Sequence, residues 1–317
     1  MSFTTEIKQE IALNEDKMCC AKAELSALIQ LTSSLSISNK QLLLLVRSEN
    51  PTTAKRVIAL IKKLYPIETK LEIAKKTNLK KNNVYTVSII SDAKKILEDL
   101  GLYSTRGLLN HPKYSVVQND CCAQRYLAGC FLAYGACNSP MKTNYHLEIC
   151  VSDEEHANFI LKLMSRFIEG AKVSKRRNRY IVYIKRADLI ADFLKTIGAS
   201  DSLFKYEDIR ISRDVKNSLL RLDNCQIAND VKTMEAAKKQ IESITIIKKS
   251  GKYDSLPEKI RNVIDLRMDM QESSLIEMCD AYQKRYGDVI SKSGLKHRFN
   301  KIDEIASKLE GNQIWSV

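Results

Sequence analysis

Apolar and polar positions along this chain run through the same order twice. Residues 20–36 have the small and apolar content of a buried helix, and 41–47 is an apolar run of strand length. Positions 53–65 return to helical spacing. Residues 68–74 and 84–90 read as a hairpin across a Lys- and Asn-rich turn at 80–83, and 92–101 closes the unit as a helix stopped by Gly101. The order recurs as helix 119–136, strand 145–151, helix 153–169, hairpin 172–185 and helix 187–198. At one constant offset, Cys19-Cys20-Ala21 answers Cys121-Cys122-Ala123, Leu25 answers Leu127, and Ala27 answers Gly129. Ile58, Ile61 and Tyr65 likewise match Ile160, Leu163 and Phe167. After a small difference in loop length, Ile96-Leu97 and Leu100-Gly101 answer Phe193-Leu194 and Ile197-Gly198. A duplication of this length predicts one supersecondary unit built twice about a pseudo-two-fold. Gly129 and Ala133, one helical turn apart with Ala136 close behind, predict that the two central helices approach closely.

Beyond the repeats, 202–249 reads as one or two long polar helices. Leu220, Ile227, Met234 and Ile241 fall seven apart and predict a narrow apolar stripe that packs on a neighbour. Gly251 and Pro257 bracket a loop. A helix over 257–266 turns Ile260, Val263 and Ile264 inward, and Ser274 with Glu277 fits a capping box that opens a second helix. A turn at 286–288 precedes a third helix from 291, with Leu295, Phe299, Ile302, Ile305 and Leu309 at helical spacing. Its remaining face presents Lys296, His297, Asn300 and Lys301, with Lys292 and Arg298 at the margins. Three short helices with a cationic, amide-bearing third describe a helix-turn-helix over about 273–307. Such a helix reads base edges with Asn, Lys and Arg, while Ser291 and Ser293 with free backbone N–H groups are candidates to hold phosphate; Ser273 and Ser274 are further candidates for contact with DNA. His297 has no Cys, Asp or second His at chelating spacing along the helix, so it reads as either a polar surface residue or a base-edge or phosphate donor, and not as a metal ligand.

Charge sharpens this picture. The chain has 317 residues, 44% of them apolar, and a formal net charge of +13, which favours a polyanionic partner, nucleic acid or an anionic membrane. No stretch approaches the apolar length of a membrane span, and 2–17 has no apolar core of a signal peptide. The most basic segment of the repeats is the second hairpin, where Lys175, Arg176, Arg177, Arg179 and Lys185 are candidates for the DNA backbone. Strand alternation puts Arg179, Tyr183 and Lys185 on one face and Tyr180, Val182 and Ile184 on the other. The first hairpin offers Lys70, Lys75, Lys76, Lys80 and Lys81. Nine cysteines without small-scaffold spacing read as free thiols of a reducing compartment. The two Cys-Cys pairs lack the two-residue gap of the usual zinc knuckle and read as small buried residues opening each central helix; no metal and no cofactor are expected.

Residues 127–135, LAGCFLAYG, resemble the signature helix of the LAGLIDADG homing endonucleases; Leu25 to Ser33 is a more degenerate copy. In that family two such helices pack side by side, and an acid near the end of each holds the divalent metals that cut DNA. Here the acid positions are Thr32 and Tyr134, and the sixth positions are Gln30 and Leu132, so no side chain supplies the anionic oxygen that Mg²⁺ catalysis needs. The resemblance implies a nuclease scaffold without its metal chemistry.

Taken whole, the chain resembles the WhiA proteins. The match is carried by the doubled Cys-Cys-Ala helix and by Asn224-Cys225-Gln226-Ile227-Ala228-Asn229 with Thr233, Ala236-Ala237 and Gln240-Ile241. It is carried further by Leu256 to Arg261, by Leu275-Ile276-Glu277, and by Ile290 to Arg298. Departures are Cys130 and Tyr134 in the second central helix, and Tyr286 to Val289 in the turn before the third helix. The resemblance implies an α+β protein: a duplicated LAGLIDADG-type αββαβ-like saddle over 1–200 (repeats about 18–101 and 119–198), a linker helix over 201–250, and an all-α helix-turn-helix domain over 251–317. It implies a non-enzymatic, double-stranded-DNA-binding, nucleoid-associated cytoplasmic protein. Family members regulate sporulation septation in actinomycetes and are linked to cell division and chromosome segregation in firmicutes. Two other readings stand beside it: an active metal-dependent endonuclease, and an N-terminal lobe that docks another transcription or division regulator. No membrane and no small-molecule substrate are expected.

Overall fold

The structure, a computed structural model, describes residues 2–38, 41–75 and 83–313. Lys76, Lys80 and Lys81 of the expected first hairpin tip lie outside the described residues. The chain divides into two compact units, Met1–Asp214 and Val215–Val317.

The first unit opens with helix α1 (Phe3–Ile11), which buries Phe3, Ile7 and Ile11. The sequence reading had placed no helix over 2–17. Repeat one then runs α2 (Met18–Thr32), β1 (Ser33–Ser38), β2 (Gln41–Ser48), α3 (Pro51–Leu64), β3 (Thr69–Lys75), β4 (Asn83–Ile89) and α4 (Ala93–Asp99). A small hairpin, β5 (Tyr103–Ser104) and β6 (Gly107–Leu108), follows. Repeat two is α5 (Asp120–Tyr134), β7 (Gly135–Cys137), β8 (Leu147–Val151), α6 (Glu154–Met164), β9 (Lys172–Arg176), β10 (Arg179–Ile184) and α7 (Ala187–Ile197). Each repeat carries an antiparallel four-stranded sheet, in the orders β1-β2-β4-β3 and β7-β8-β10-β9.

Each unit is therefore αββαββα, one strand richer than expected. The expected helix 20–36 ends at Thr32, where Ser33 turns extended (φ −93, ψ 158), and the following residues become β1. The expected helix 119–136 likewise yields to β7 at Gly135. The physical reason is the sheet edge: Ser33 to Ser38 pair with Gln41 to Val46, and Gly135 to Cys137 pair with Leu147 to Ile149. These ladder bonds outweigh the propensity of a few residues to continue a helix.

The two central helices hold the unit together. A Cβ added to Gly129 on α5 would lie 2.6 Å from the Glu24 carbonyl oxygen and 2.9 Å from the Ala27 Cβ on α2, so only glycine fits there. Leu25, Leu28, Leu127 and Phe131 around this crossing are wholly buried. The Thr53 hydroxyl on α3 donates to the Leu132 carbonyl at 3.0 Å, a bond from the first repeat to the end of the second central helix. Nearby, Arg56 donates to both Glu24 oxygens at 2.7 and 2.8 Å and to Asp16 at 2.5 Å, and Arg125 on α5 reaches Asp16 at 2.7 Å. Burial pushes the Glu24 carboxyl up to about 7 against the pull of Arg56.

Helix α8 runs unbroken over Ser200–Lys249. The sequence placed a separate linker at 201–250, whereas the unit division falls inside this helix. Tyr206 belongs to the first core, and Ile244 and Ile247 belong to the second. Of the expected apolar stripe, Ile241 is half-buried, whereas Leu220, Ile227 and Met234 are exposed, because α8 is anchored by its ends and not by its middle turns. The second unit adds α9 (Glu258–Asp269), α10 (Leu275–Tyr286) and α11 (Lys292–Gln313) around Ile264, Met278, Leu295, Phe299 and Ile302.

Gly129→Ala is expected to lower stability by about 1–3 kcal/mol through overpacking of the helix pair. A urea titration would show a lower midpoint with an unchanged slope; an unchanged midpoint would mean that the crossing has slack.

Candidate nucleic-acid interface

Thr32 and Tyr134 end α2 and α5, where the endonuclease resemblance puts catalytic acids. The Thr32 hydroxyl is turned back on its own helix, donating to the Leu28 carbonyl at 2.6 Å, and Tyr134 is 43% exposed. Between them lies a cavity of about 370 Å³ lined also by Lys8, Arg47, Glu49, Asn50 and Ala133. Lys8 arrives from α1, is only 8% exposed, and holds its ammonium 5.9 Å from the Phe131 ring centroid. No carboxylate pairs with it among the described residues, and burial lowers its pKa from 10.5 to about 8. A site with one carboxylate, a lysine and an arginine does not fit a hard divalent cation, which takes several anionic or carbonyl oxygens. It fits an anion. Sequence reasoning missed Lys8 because α1 lies outside both repeats.

At the second sheet, cross-strand register sorts the basic residues. Arg176 pairs with Arg179 and Lys172 pairs with Tyr183, so these four share the outer face, away from buried Val182 and Ile184. The Lys185 ammonium sits 5.2 Å from the Tyr183 ring centroid, at the same end. Lys175 pairs with Tyr180 and lies over its ring at 5.5 Å, on the opposite face from Arg176 and Arg179. Arg177 occupies the hairpin tip in the left-handed region (φ 55), which a non-glycine residue adopts at a cost of about 1–2 kcal/mol. On the same outer face Glu148 takes a 2.8 Å hydrogen bond with His146, whose ring stacks on Tyr183. This partly offsets the positive charge, and only the strand pairing reveals it.

In the second unit, α11 starts where the Ser291 hydroxyl accepts from the Gly294 N–H at 3.1 Å. Ser291 is thus occupied as a cap, as is Ser274, whose hydroxyl accepts from Glu277 N–H while the Glu277 carboxylate accepts from Ser274 N–H. Leu295, Phe299 and Ile302 face the core. Lys292, Ser293, Lys296, His297, Asn300 and Lys301 are all exposed. Arg298 differs from its expected place on that surface: it is half-buried, donates to the Tyr282 hydroxyl at 2.9 Å and lies 5.2 Å from that ring, tying α11 to α10. Arg267 is almost wholly buried. It donates to Gln240 on α8 at 3.0 Å and to the Met270 and Ser273 carbonyls at 3.1 and 2.7 Å, with its guanidinium over Phe299. Sequence reasoning did not single it out, since its partners lie on three other segments. Ser273, through its carbonyl, serves the same knot.

The Cys-Cys pairs also differ from expectation. Cys20 and Cys122 are buried, but Cys19 and Cys121 are exposed, and the four sulfurs come together at the N-terminal ends of α2 and α5. Among the described residues no helix is long and apolar enough to cross a membrane.

A duplicated LAGLIDADG-like α/β unit followed by a helix-turn-helix domain defines the class of protein. The models of the WhiA N-terminal LAGLIDADG-like domain, the WhiA LAGLIDADG-like domain and the WhiA C-terminal HTH domain match residues 18–103, 123–216 and 219–306. The chain is 44% identical, over the whole of both sequences, to a protein named probable cell division protein WhiA from Bacillus licheniformis. It is 42% identical to one of that name from Macrococcus caseolyticus, over 99% of this chain and 98% of that one. The chain belongs to the WhiA family. The crystal structure of full-length WhiA from Thermotoga maritima shares the fold, with a TM-score of 0.60 at 23% identity over 97% of this chain and 99% of that one.

Lys8→Met is expected to raise stability at pH 7. A lysine whose folded pKa lies near 8 sheds its proton more readily folded than unfolded, so its folded state is penalised below about 8 and relieved as pH rises toward 10.5. The penalty at neutral pH is roughly 3 kcal/mol. The urea midpoint of the parent chain should rise relative to that of the variant between pH 8 and 10.5, the buried thiols affecting both chains alike. A variant less stable at pH 7 would mean that the ammonium is compensated.

Proposed function

We propose that this protein is a non-enzymatic DNA-binding factor of cell division and chromosome segregation that acts as a transcriptional regulator on the nucleoid. The observation that carries the reading is the exposed face of α11, where Ser293, Lys296, His297, Asn300 and Lys301 project from a helix whose other face is locked into the core by Leu295, Phe299 and Ile302. An N-terminal turn of this kind enters the major groove, where an Asn reads adenine and a Lys reads guanine. Lys292 and the backbone N–H groups of the first turn lie beside it to take phosphate. The N-terminal unit contributes sequence-independent contacts through Arg176, Arg177, Arg179 and Lys185, with Lys175 lying on the other face of the hairpin. The relatives' names supply the cell-division setting. Sporulation control is a further expectation of the same family resemblance.

The endonuclease reading is disfavoured by the former catalytic centre itself. Thr32 and Tyr134 carry no charge there, and Lys8 with Arg47 places positive charge where the metal-dependent reaction needs anionic ligands.

The test uses the full chain on duplex DNA with Mg²⁺ present. Asn300→Ala and His297→Ala should each reduce preference for a specific site by about 1–3 kcal/mol while leaving non-specific affinity unchanged. Arg176→Ala and Arg179→Ala should weaken all sequences alike and reduce the slope of log affinity against log salt by about one each. Unchanged binding by the α11 variants would place recognition elsewhere, and strand scission that stops with chelation would restore the nuclease.

A further inference from the structure

We propose that Cys19, Cys20, Cys121 and Cys122 form a mononuclear tetrahedral thiolate site for Zn²⁺ that joins the two repeats at the N-terminal ends of the central helices. All four sulfurs lie within 4.8 Å of one another, and the sulfurs within each pair are 3.9 Å apart. Four zinc–sulfur bonds of about 2.3 Å in tetrahedral array set sulfurs ~3.8 Å apart, so one ion fits with small adjustments of side chains. A polynuclear iron–sulfur cluster spreads its four cysteines over several metal atoms and needs a wider opening.

The backbone around the thiols is built for negative charge. Cys19 and Cys20 lie in the first turn of α2, and Cys121 and Cys122 lie in the first turn of α5. Neither helix has a side-chain N-cap. Two positive helix ends therefore converge on the four sulfurs. Binding one Zn²⁺ replaces four S–H protons, which pass to solvent, and leaves a complex of charge −2 against those helix ends. Adjacent cysteines are unusual as a chelating pair along one chain. Here each repeat supplies half of the ligand set, which is why no single stretch of sequence has the familiar spacing. Bridging by one ion fixes the helix pair at the end away from Thr32 and Tyr134.

The test is metal analysis of the untagged full chain, purified under reducing conditions without chelators and then reconstituted with zinc. The expected result is about one zinc per chain, with none in Cys19→Ser/Cys121→Ser, and no loss in Cys225→Ser, which alters an exposed cysteine on α8. Cobalt substitution of the parent chain should give the intense thiolate-to-metal absorption and long-wavelength bands of tetrahedral coordination. This keeps the proposal open to refutation if the double variant fails to fold. Any of four results would overturn it: no zinc or cobalt bound by the reduced parent chain, zinc retained in the double variant, an iron–sulfur absorption spectrum, or a disulfide between these cysteines in protein handled anaerobically.

Discussion

The backbone contact between α2 and α5 is the constraint on which the rest of the first unit depends. With Gly129 set against the Glu24 carbonyl and the Ala27 Cβ, the two helices leave no room for a larger side chain at their crossing. That approach fixes what lies at both ends of the pair. At one end four thiols from separate repeats converge; at the other, Thr32 and Tyr134 face a shared cavity. It also sets the sheets on either side, because each helix runs directly into the edge strand of its own sheet at Ser33 or Gly135. A wider separation would disperse both the sulfur cluster and the cavity.

The same scaffold has exchanged one electrostatic problem for another. A pair of carboxylates at the helix ends would repel each other unless cations lay between them. Here Thr32 and Tyr134 end the helices, and an ammonium buried on α1 lies 5.9 Å from the Phe131 ring centroid, in a cavity that Glu49 also lines, with no ion pair to this ammonium among the described residues. An uncompensated buried charge is a stability defect, and such defects concentrate at sites that meet a ligand.

Much of the architecture was legible in the sequence because it rests on local periodicity. The repeat, the central helices, the β9–β10 hairpin and the Ser274 capping box follow from spacing and cap chemistry alone. What escaped depends on partners distant in the chain. Strand β1 is polar and follows a helix without a break, so only its ladder with β2 makes it a strand. The seven-residue stripe on α8 had the right period for packing, yet period does not supply a neighbour, and Leu220 and Met234 remain exposed. Arg298 was placed at the margin of the polar face, but its hydrogen bond to Tyr282 on another helix could not be read from spacing. Adjacent cysteines lack chelating spacing along the chain, and only the meeting of α2 and α5 brings the two pairs together.

The most direct test of the central claim, that this family member grips DNA through α11 on a scaffold without nuclease chemistry, is site-specific photocrosslinking. A photoreactive side chain would be placed at position 297 and, separately, at position 220 on the exposed part of α8, in the full chain bound to duplex DNA with Mg²⁺. Crosslinks to bases from position 297, none from position 220, and intact strands throughout are the predicted result. Crosslinks absent from 297, or strand breaks that require the metal, would contradict the account.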